Sequence, residues 1–88
     1  MSNPAKKLAL YEFPSCPFCR RVMDAIDALG VEVELRDIQR DSDFRDELQT
    51  ATGRSTVPVL RIEDGAGDVQ WMPESLDIIA YLREQTGA

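Results

Sequence analysis

The chain contains two cysteines, Cys16 and Cys19, which are separated by two residues, and it contains no histidine. A Cys-x-x-Cys pair can exchange disulfides, supply part of a metal site, or pack without any chemistry. A structural zinc site needs four Cys or His ligands, and this chain offers only two. A disulfide across so short a loop removes little entropy from the unfolded chain, so any bond between these sulfurs is expected to serve chemistry.

The position of Cys16 favours the redox interpretation. A short apolar run over residues 8–13 predicts a strand, and apolar residues at helical spacing predict a helix from Pro17 to Leu29, closed by Gly30. Cys16 therefore falls at the helix start, where unpaired backbone N–H groups and the helix dipole favour a thiolate. Cys19 lies one turn later on the same side of the helix.

The spacing also predicts a bond that is easily reduced. Side chains three residues apart on a regular helix have Cβ atoms about 5–6 Å apart, whereas a disulfide requires about 3.5–4.5 Å. Closing the bond therefore requires adjustment at the helix start. Such a pair suits a catalyst, although two inert cysteines stay an alternative.

The middle of the chain continues the alternation of strand and helix. Residues 31–38 alternate apolar and charged side chains, which predicts a strand with one solvent-exposed face. A helix then begins near Asp41, turns Phe44, Leu48 and Ala51 inward, and ends at Gly53.

The last third of the chain predicts a hairpin followed by a helix. Strands are expected at 57–62 and 69–72, joined by a turn over 63–68. Pro58 stands early in the first of these strands, where a missing N–H is expected only at an edge, a strand start or a site. A helix is expected over 74–85 with Pro73 at its start, and the side chains expected to face inward are Leu76, Ile79, Ala80 and Leu82.

The element order βαβαββα predicts one α/β domain over residues 1–88, with a four-stranded mixed sheet flanked by three helices. The length fits a single small domain. The net charge of −6 disfavours nucleic acid and anionic lipid as partners. No apolar run approaches the ~20 residues that span a bilayer, so we expect a cytoplasmic protein.

Three features together resemble the glutaredoxins of the thioredoxin-fold superfamily. They are Cys-Pro-Phe-Cys at 16–19 after the first strand, Thr-Val-Pro at 56–58, and a closing helix with an acidic start. The resemblance extends from about residue 8 to residue 82. It implies a thioredoxin-like fold in which Cys16 is an exposed nucleophile and Cys19 is the resolving thiol.

The resemblance also implies a glutathione site. Pro58 would be cis and lie beside Cys16, leaving the Val57 backbone to pair with the cysteinyl part of glutathione. Arg45, with Arg54 as a second candidate, matches the position that meets the glycine carboxylate, and an anionic ligand on this acidic chain needs such a cation. A solvated helix face is the alternative for Arg45.

The sequence departs from typical glutaredoxins at two places. Phe13 stands where a Lys or Arg is usual, so activation of Cys16 depends more on the helix start. Residues 71–82 instead resemble the N-terminal domain of glutathione transferases and transferase-like bacterial glutaredoxins, in which the pair matching Glu74 and Ser75 holds the γ-glutamyl end of glutathione. Plain helix capping is the alternative for that pair, and Trp71 is expected to be partly core.

These features together predict a glutathione-dependent thiol–disulfide oxidoreductase that reduces protein disulfides or glutathione mixed disulfides. Glutathione is the expected cosubstrate, disulfide-containing or glutathionylated proteins are the expected partners, and we expect a monomer without a metal. Three alternatives stay open: a redoxin served by thioredoxin reductase, a non-catalytic glutathione or iron–sulfur module, and a detached transferase-like domain. Pro17 argues against the iron–sulfur module.

Overall fold

The computed structural model describes residues 7–86 and has the βαβαββα order that the sequence predicts. Its four strands form one mixed sheet in the order β2-β1-β3-β4. This is the thioredoxin-like α/β architecture expected from the resemblance. The elements are β1 (Lys7–Glu12), α1 (Pro17–Leu29), β2 (Glu34–Asp37), α2 (Ser42–Thr52), β3 (Val59–Glu63), β4 (Val69–Pro73) and α3 (Ser75–Thr86).

The first strand, β1, lies inside the sheet, parallel to β2 and antiparallel to β3. The crossover through α1 makes the β1–β2 pair parallel, and a tight turn makes the β3–β4 pair antiparallel. In that turn the Asp64 carboxylate accepts hydrogen bonds from the N–H groups of Ala66 and Asp68, at 2.8 and 3.0 Å. Gly67 supplies the left-handed residue of the turn, with φ of 91°.

Alternate residues of β1 face opposite layers of the protein. Leu8 and Leu10 pack in the cluster shared with α1 and α3, whereas Tyr11 packs in the cluster shared with α2. The two clusters hold most of the core. The fully buried members of the first are Leu10, Val22, Leu60, Ile78 and Leu82, and those of the second are Tyr11 and Leu48.

Local signals at the ends of the first two helices act as the sequence predicts. The Asp41 carboxylate caps α2 by accepting from the Asp43 N–H at 2.9 Å. Gly30 and Gly53 end α1 and α2 in the left-handed region, with φ of 70° and 78°. Both glycine N–H groups return a hydrogen bond to the carbonyl four residues earlier.

Three strand boundaries differ from the prediction. Strand β2 covers only Glu34–Asp37 of the expected 31–38. Strand β3 begins at Val59 because Val57–Pro58 is a cis peptide that precedes it, so the missing proline N–H removes no ladder hydrogen bond. Pro73 is the last residue of the edge strand β4 and does not begin the helix.

The inward faces of α2 and α3 also differ in part from the prediction. Leu76 is 68% exposed and Ala80 is exposed, whereas Ser75, Ile78 and Leu82 are buried. Ala51 is likewise exposed on α2. Apolar residues occupy two adjoining faces of α3, and packing against α1 selects the face that contains Ile78 and Leu82.

Candidate functional site

The two cysteines lie at the start of α1, where the sequence places them. Cys16 is the N-cap residue and has extended backbone angles. Its sulfur accepts a hydrogen bond from the Cys19 backbone N–H at 3.4 Å, and its own N–H donates to the Phe13 carbonyl at 3.1 Å. Both cysteines are free thiols. A backbone donor aimed at the Cys16 sulfur stabilises negative charge there, as expected for a reactive thiol at a helix start.

Cys16 is less accessible than the resemblance implies. Only 7% of its surface is exposed, so the expectation of an exposed nucleophile is wrong in this respect. As the N-cap residue, Cys16 turns its side chain toward the first turn of α1, where the Cys19 N–H donates to its sulfur. The neighbouring Phe18 is 57% exposed and provides an apolar surface next to the thiol.

Cys19 is chemically different from Cys16. It is fully buried, and burial, followed by the hydrogen bond with Cys16, raises the pKa of the Cys19 thiol to about 12. A backbone hydrogen bond with Phe13 opposes this shift in pKa, whereas the negative charge of Glu12 adds to it. Cys19 therefore stays protonated at neutral pH, which suits a resolving thiol and not the initial nucleophile.

A carboxyl group that the sequence analysis did not single out lies next to this pair. Glu12 is only 3% exposed, and its Oε1 atom has no hydrogen-bond partner among residues 7–86. Burial, followed by repulsion from Asp37, raises the pKa of the Glu12 carboxyl. The available signal was the alternation of β1, in which Leu8, Leu10 and Glu12 share one face.

The buried Glu12 predicts a stability that depends on pH. Because its pKa is raised in the folded protein, the folded state binds this proton more tightly than the unfolded chain does. The free energy of unfolding should therefore fall as pH rises from the ordinary glutamate value of 4.5 through the raised pKa. Glu12→Gln should consequently stabilise the fold by about 1 kcal/mol at pH 7, and this gain should disappear near pH 4.

Urea denaturation at pH 4 and pH 7 measures this effect. Glu32→Gln is the matched control, because it removes the same charge at an exposed position after α1. Equal stability of wild type and Glu12→Gln at both pH values would contradict the prediction.

Four of the predicted glutathione residues, Val57, Pro58, Glu74 and Ser75, line one open cleft of about 860 Å³. The cis Val57–Pro58 segment forms one part of its wall, and Glu74 and Ser75 form another. This volume is typical of small-molecule sites. Neither cysteine lines the cleft, but Phe18, which lies between them in the sequence, does.

The Glu74–Ser75 pair has an unusual backbone. Glu74 has φ of 75°. Among residues 7–86 it is the one residue other than glycine whose backbone lies in the left-handed region. The Glu74 carbonyl accepts the first hydrogen bond of α3, from the Ile78 N–H at 3.0 Å. Ser75 is the buried first residue of α3, so the unpaired N–H groups of this helix start lie at the cleft wall.

The candidate cations are distributed differently from the prediction. Arg54 lines the cleft, and so does Arg21, from which the sequence predicts only a general positive potential near the thiolate. Arg45 lines a separate depression of about 430 Å³ together with Phe13 and Ser55. The role of Arg45 in binding glutathione therefore stays a prediction. Trp71 also borders the cleft while it packs on Tyr11, with ring centroids 5.5 Å apart.

A larger groove of about 1010 Å³ lies on the α2 side of the sheet. It contains Tyr11, whose hydroxyl donates to Glu47 and accepts from Arg36, each at 2.7 Å. This network joins β1, β2 and α2, but the groove contains none of Pro58, Glu74 and Ser75. We therefore place the candidate site at the smaller cleft. Within residues 7–86 no group of three or more His, Cys, Asp or Glu side chains is arranged to hold a metal.

Comparison with known proteins gives matches that cover most of the chain. The family model described as glutathione S-transferase, N-terminal domain, matches residues 10–88. Glutaredoxin-1 of Oryctolagus cuniculus is 33% identical over 88 residues, which cover 89% of this chain and 83% of that protein.

No helix formed by residues 7–86 is long and apolar enough to cross a membrane.

Two solved structures share the fold. Glutaredoxin 2 from Salmonella typhimurium, in complex with glutathione, has a TM-score of 0.72 and 25% identity, with 94% of this chain and 35% of that chain covered. Maleylacetoacetate isomerase from Anaeromyxobacter dehalogenans, with bound dicarboxyethyl glutathione, has a TM-score of 0.72 and 26% identity, with 96% and 39% covered. This chain thus spans little more than a third of either protein.

Proposed function

This chain belongs to the family of glutathione S-transferase N-terminal domains, and from that premise we propose that it is a glutathione-dependent thiol–disulfide oxidoreductase of the dithiol glutaredoxin type. A glutathione-related function follows from the family and from the glutaredoxin relatives. The observation that carries the finer proposal is the pair of unlike thiols at the start of α1. One sulfur accepts a backbone hydrogen bond, and the other is a fully buried thiol one turn away.

The proposed reaction begins with attack by the Cys16 thiolate on the glutathionyl sulfur of a mixed disulfide. A bond forms between Cys16 and glutathione, the original disulfide breaks, and the protein sulfur leaves as a thiolate that takes up a proton from water. A second glutathione then attacks the glutathionyl sulfur and releases glutathione disulfide and the Cys16 thiolate. Alternatively, Cys19 attacks the Cys16 sulfur, which releases glutathione and leaves a Cys16–Cys19 disulfide that further glutathione reduces. The sulfur that attacks is oxidised and the sulfur that leaves is reduced, so each exchange is balanced.

The cleft supplies groups that complement each end of glutathione. The Val57 backbone beside Pro58 would pair with the cysteinyl part. The α3 start at Ser75 would hold the γ-glutamyl carboxylate, and the Glu74 carboxylate would meet the α-ammonium. Arg54 or Arg21, as cations of the cleft, would receive the glycine carboxylate.

A transferase-type activity is the second candidate, because the solved relatives include an isomerase with a bound glutathione derivative. A transferase activates the thiol of glutathione for attack on a carbon centre and has no need of a second protein thiol. The buried Cys19 therefore favours disulfide exchange over transfer.

Parallel assays with the same protein separate these candidates. Consumption of NADPH is followed with glutathione, glutathione reductase and a small glutathione mixed disulfide, and separately with thioredoxin reductase alone. Conjugation of glutathione to an aromatic electrophile is measured in a third assay. We expect turnover in the first assay only. Reduction that needs only thioredoxin reductase, or conjugation without disulfide reduction, would refute the proposal.

A further inference from the structure

We propose that Thr52 is a positioning residue for glutathione, because its hydroxyl fixes the Arg54 backbone so that the Arg54 guanidinium meets the glycine carboxylate in the cleft. This inference rests on the proposed function, since it concerns how that site holds its cosubstrate. It also selects Arg54, and not Arg21, as the cation for that carboxylate.

The Thr52 side chain contacts the backbone on both sides of the end of α2. Thr52 is the last residue of that helix, and its hydroxyl oxygen accepts a hydrogen bond from the Arg54 N–H at 3.3 Å. The same oxygen lies 2.8 Å from the Leu48 carbonyl oxygen and 3.0 Å from the Arg54 carbonyl oxygen, and its single hydrogen can be donated to either one. One side chain thus ties both polar backbone groups of Arg54 to the end of α2.

The segment between α2 and β3 has little else to hold it. Residues 53–58 belong to no helix or strand. Gly53 turns the chain out of α2 in the left-handed region, and its N–H donates to the Gln49 carbonyl at 2.8 Å. Among residues 7–86, no backbone–backbone hydrogen bond of a turn or loop involves residues 54–58. The Thr52 hydroxyl therefore fixes the backbone from which the Arg54 side chain extends.

Arg54 is available to bind an anion. Its side chain is exposed at the cleft and forms no ion pair within residues 7–86. A guanidinium binds a carboxylate best through two parallel hydrogen bonds, so the direction from which it extends affects the affinity. A backbone that is already ordered also lowers the entropy cost of binding. Both effects connect the Thr52 hydroxyl to the affinity for glutathione.

The order of the three residues of glutathione favours Arg54 over Arg21 for the glycine end. The γ-glutamyl end is expected at Ser75, and the cysteinyl part, in the middle, at Val57. Arg21 extends from α1, which packs with α3 on one side of the sheet, so it lies toward the γ-glutamyl end. Arg54 follows α2, which packs on the other side, and it belongs to the same segment as Val57. The glycine carboxylate therefore points toward Arg54.

The test compares two disulfides that differ only at the glycine carboxylate: glutathione disulfide, and the disulfide of glutathione esterified with ethanol at glycine. Each is mixed at low concentration with reduced protein in the Cys19→Ser background, where the adduct on Cys16 accumulates. Samples are quenched in acid and analysed by mass spectrometry. Thr52→Val keeps the shape of the side chain and removes the hydroxyl. We expect it to slow the reaction with glutathione disulfide about fivefold and to leave the rate with the ester unchanged.

Three further variants assign the effect to the Thr52 hydroxyl and to Arg54. Thr52→Ser keeps the hydroxyl and should react at nearly the normal rate. Thr50→Val is the matched control, because Thr50 is an exposed threonine of the same helix whose hydroxyl forms no hydrogen bond within residues 7–86. Arg54→Ala should slow the reaction with glutathione disulfide about twentyfold, and adding Thr52→Val to it should slow the reaction no further.

The outcomes separate this inference from the proposed function. Equal slowing with both disulfides in Thr52→Val would mean that the hydroxyl only supports the fold, and it would overturn the inference. Unchanged rates with both disulfides, or additive effects of Thr52→Val and Arg54→Ala, would overturn it as well. Each of these results leaves the proposed function intact. Failure of the Cys19→Ser protein to form an adduct with either disulfide would overturn both.

Discussion

Replacing Cys16 by serine is expected to lower the rate of glutathione-dependent disulfide reduction about a thousandfold or more. A serine hydroxyl at the helix start is not ionised at neutral pH and forms no disulfide, so no adduct with glutathione can accumulate. The fold should be unaffected, because serine has the same branching as cysteine, is slightly smaller, and is a favoured N-cap residue. The coupled NADPH assay with a small mixed disulfide measures the loss.

Cys19→Ser is the matched variant for this prediction. It removes the resolving thiol but keeps the Cys19 backbone N–H that donates to Cys16, so turnover through a second glutathione should continue. The rate of reduction of intramolecular protein disulfides should fall more than the rate with glutathione mixed disulfides, because the former depends on resolution by Cys19. Retention of the full rate in Cys16→Ser would show that Cys16 is not the nucleophile.

Replacing Glu74 by glycine should raise the KM for glutathione about thirtyfold while it stabilises the protein. The carboxylate is expected to hold the α-ammonium of glutathione, and a hydrogen bond to a charged group contributes about 1.5–3 kcal/mol. The backbone of Glu74, with φ of 75°, lies in the left-handed region that costs an ordinary residue about 1–2 kcal/mol. Glycine adopts this conformation without that cost. Glycine also increases the conformational entropy of the unfolded chain, so the net gain in the free energy of unfolding is smaller than the strain that is removed.

Glu74→Gln separates the carboxylate from the backbone. It should raise the KM to a similar extent but leave the free energy of unfolding unchanged, since the strained backbone is kept. Initial rates at varied glutathione concentration give the KM, and urea denaturation gives the stability. An unchanged KM in both variants would mean that Glu74 only begins the helix and does not hold glutathione.

The two expected gains in stability remove two different costs to folding. Glu12 is buried without a partner for Oε1, and Glu74 is held in an unfavourable backbone conformation. Glu74 lines the proposed glutathione cleft, where a cost to folding is retained if the residue binds a ligand. Variants that are more stable but less active are therefore the expected pattern at this site.

Features that depend on neighbouring residues were determined by the sequence itself. The start of α1 at Pro17, the glycine stops at Gly30 and Gly53, and the cap at Asp41 all match the structure because each arises from backbone hydrogen bonds within a few residues. The order of the elements follows from apolar periodicity for the same reason. The Cys-x-x-Cys pair at a helix start could thus be located, and its redox chemistry proposed, without coordinates.

Features that depend on packing between distant segments were decided only by the tertiary structure. The small exposed area of Cys16 and the burial of Glu12 are seen only in the folded structure, because spacing along the chain does not show which side chains lose contact with water. The cleft brings residues 54, 57 and 74 together, whereas Arg45 lines a separate depression. Counting residues along the chain could not show which of the two arginines, Arg45 or Arg54, lies at the cleft. Sequence spacing fixes the neighbours of a residue along one helix or strand, but long-range packing determines which charges lose contact with water and which groups face one another.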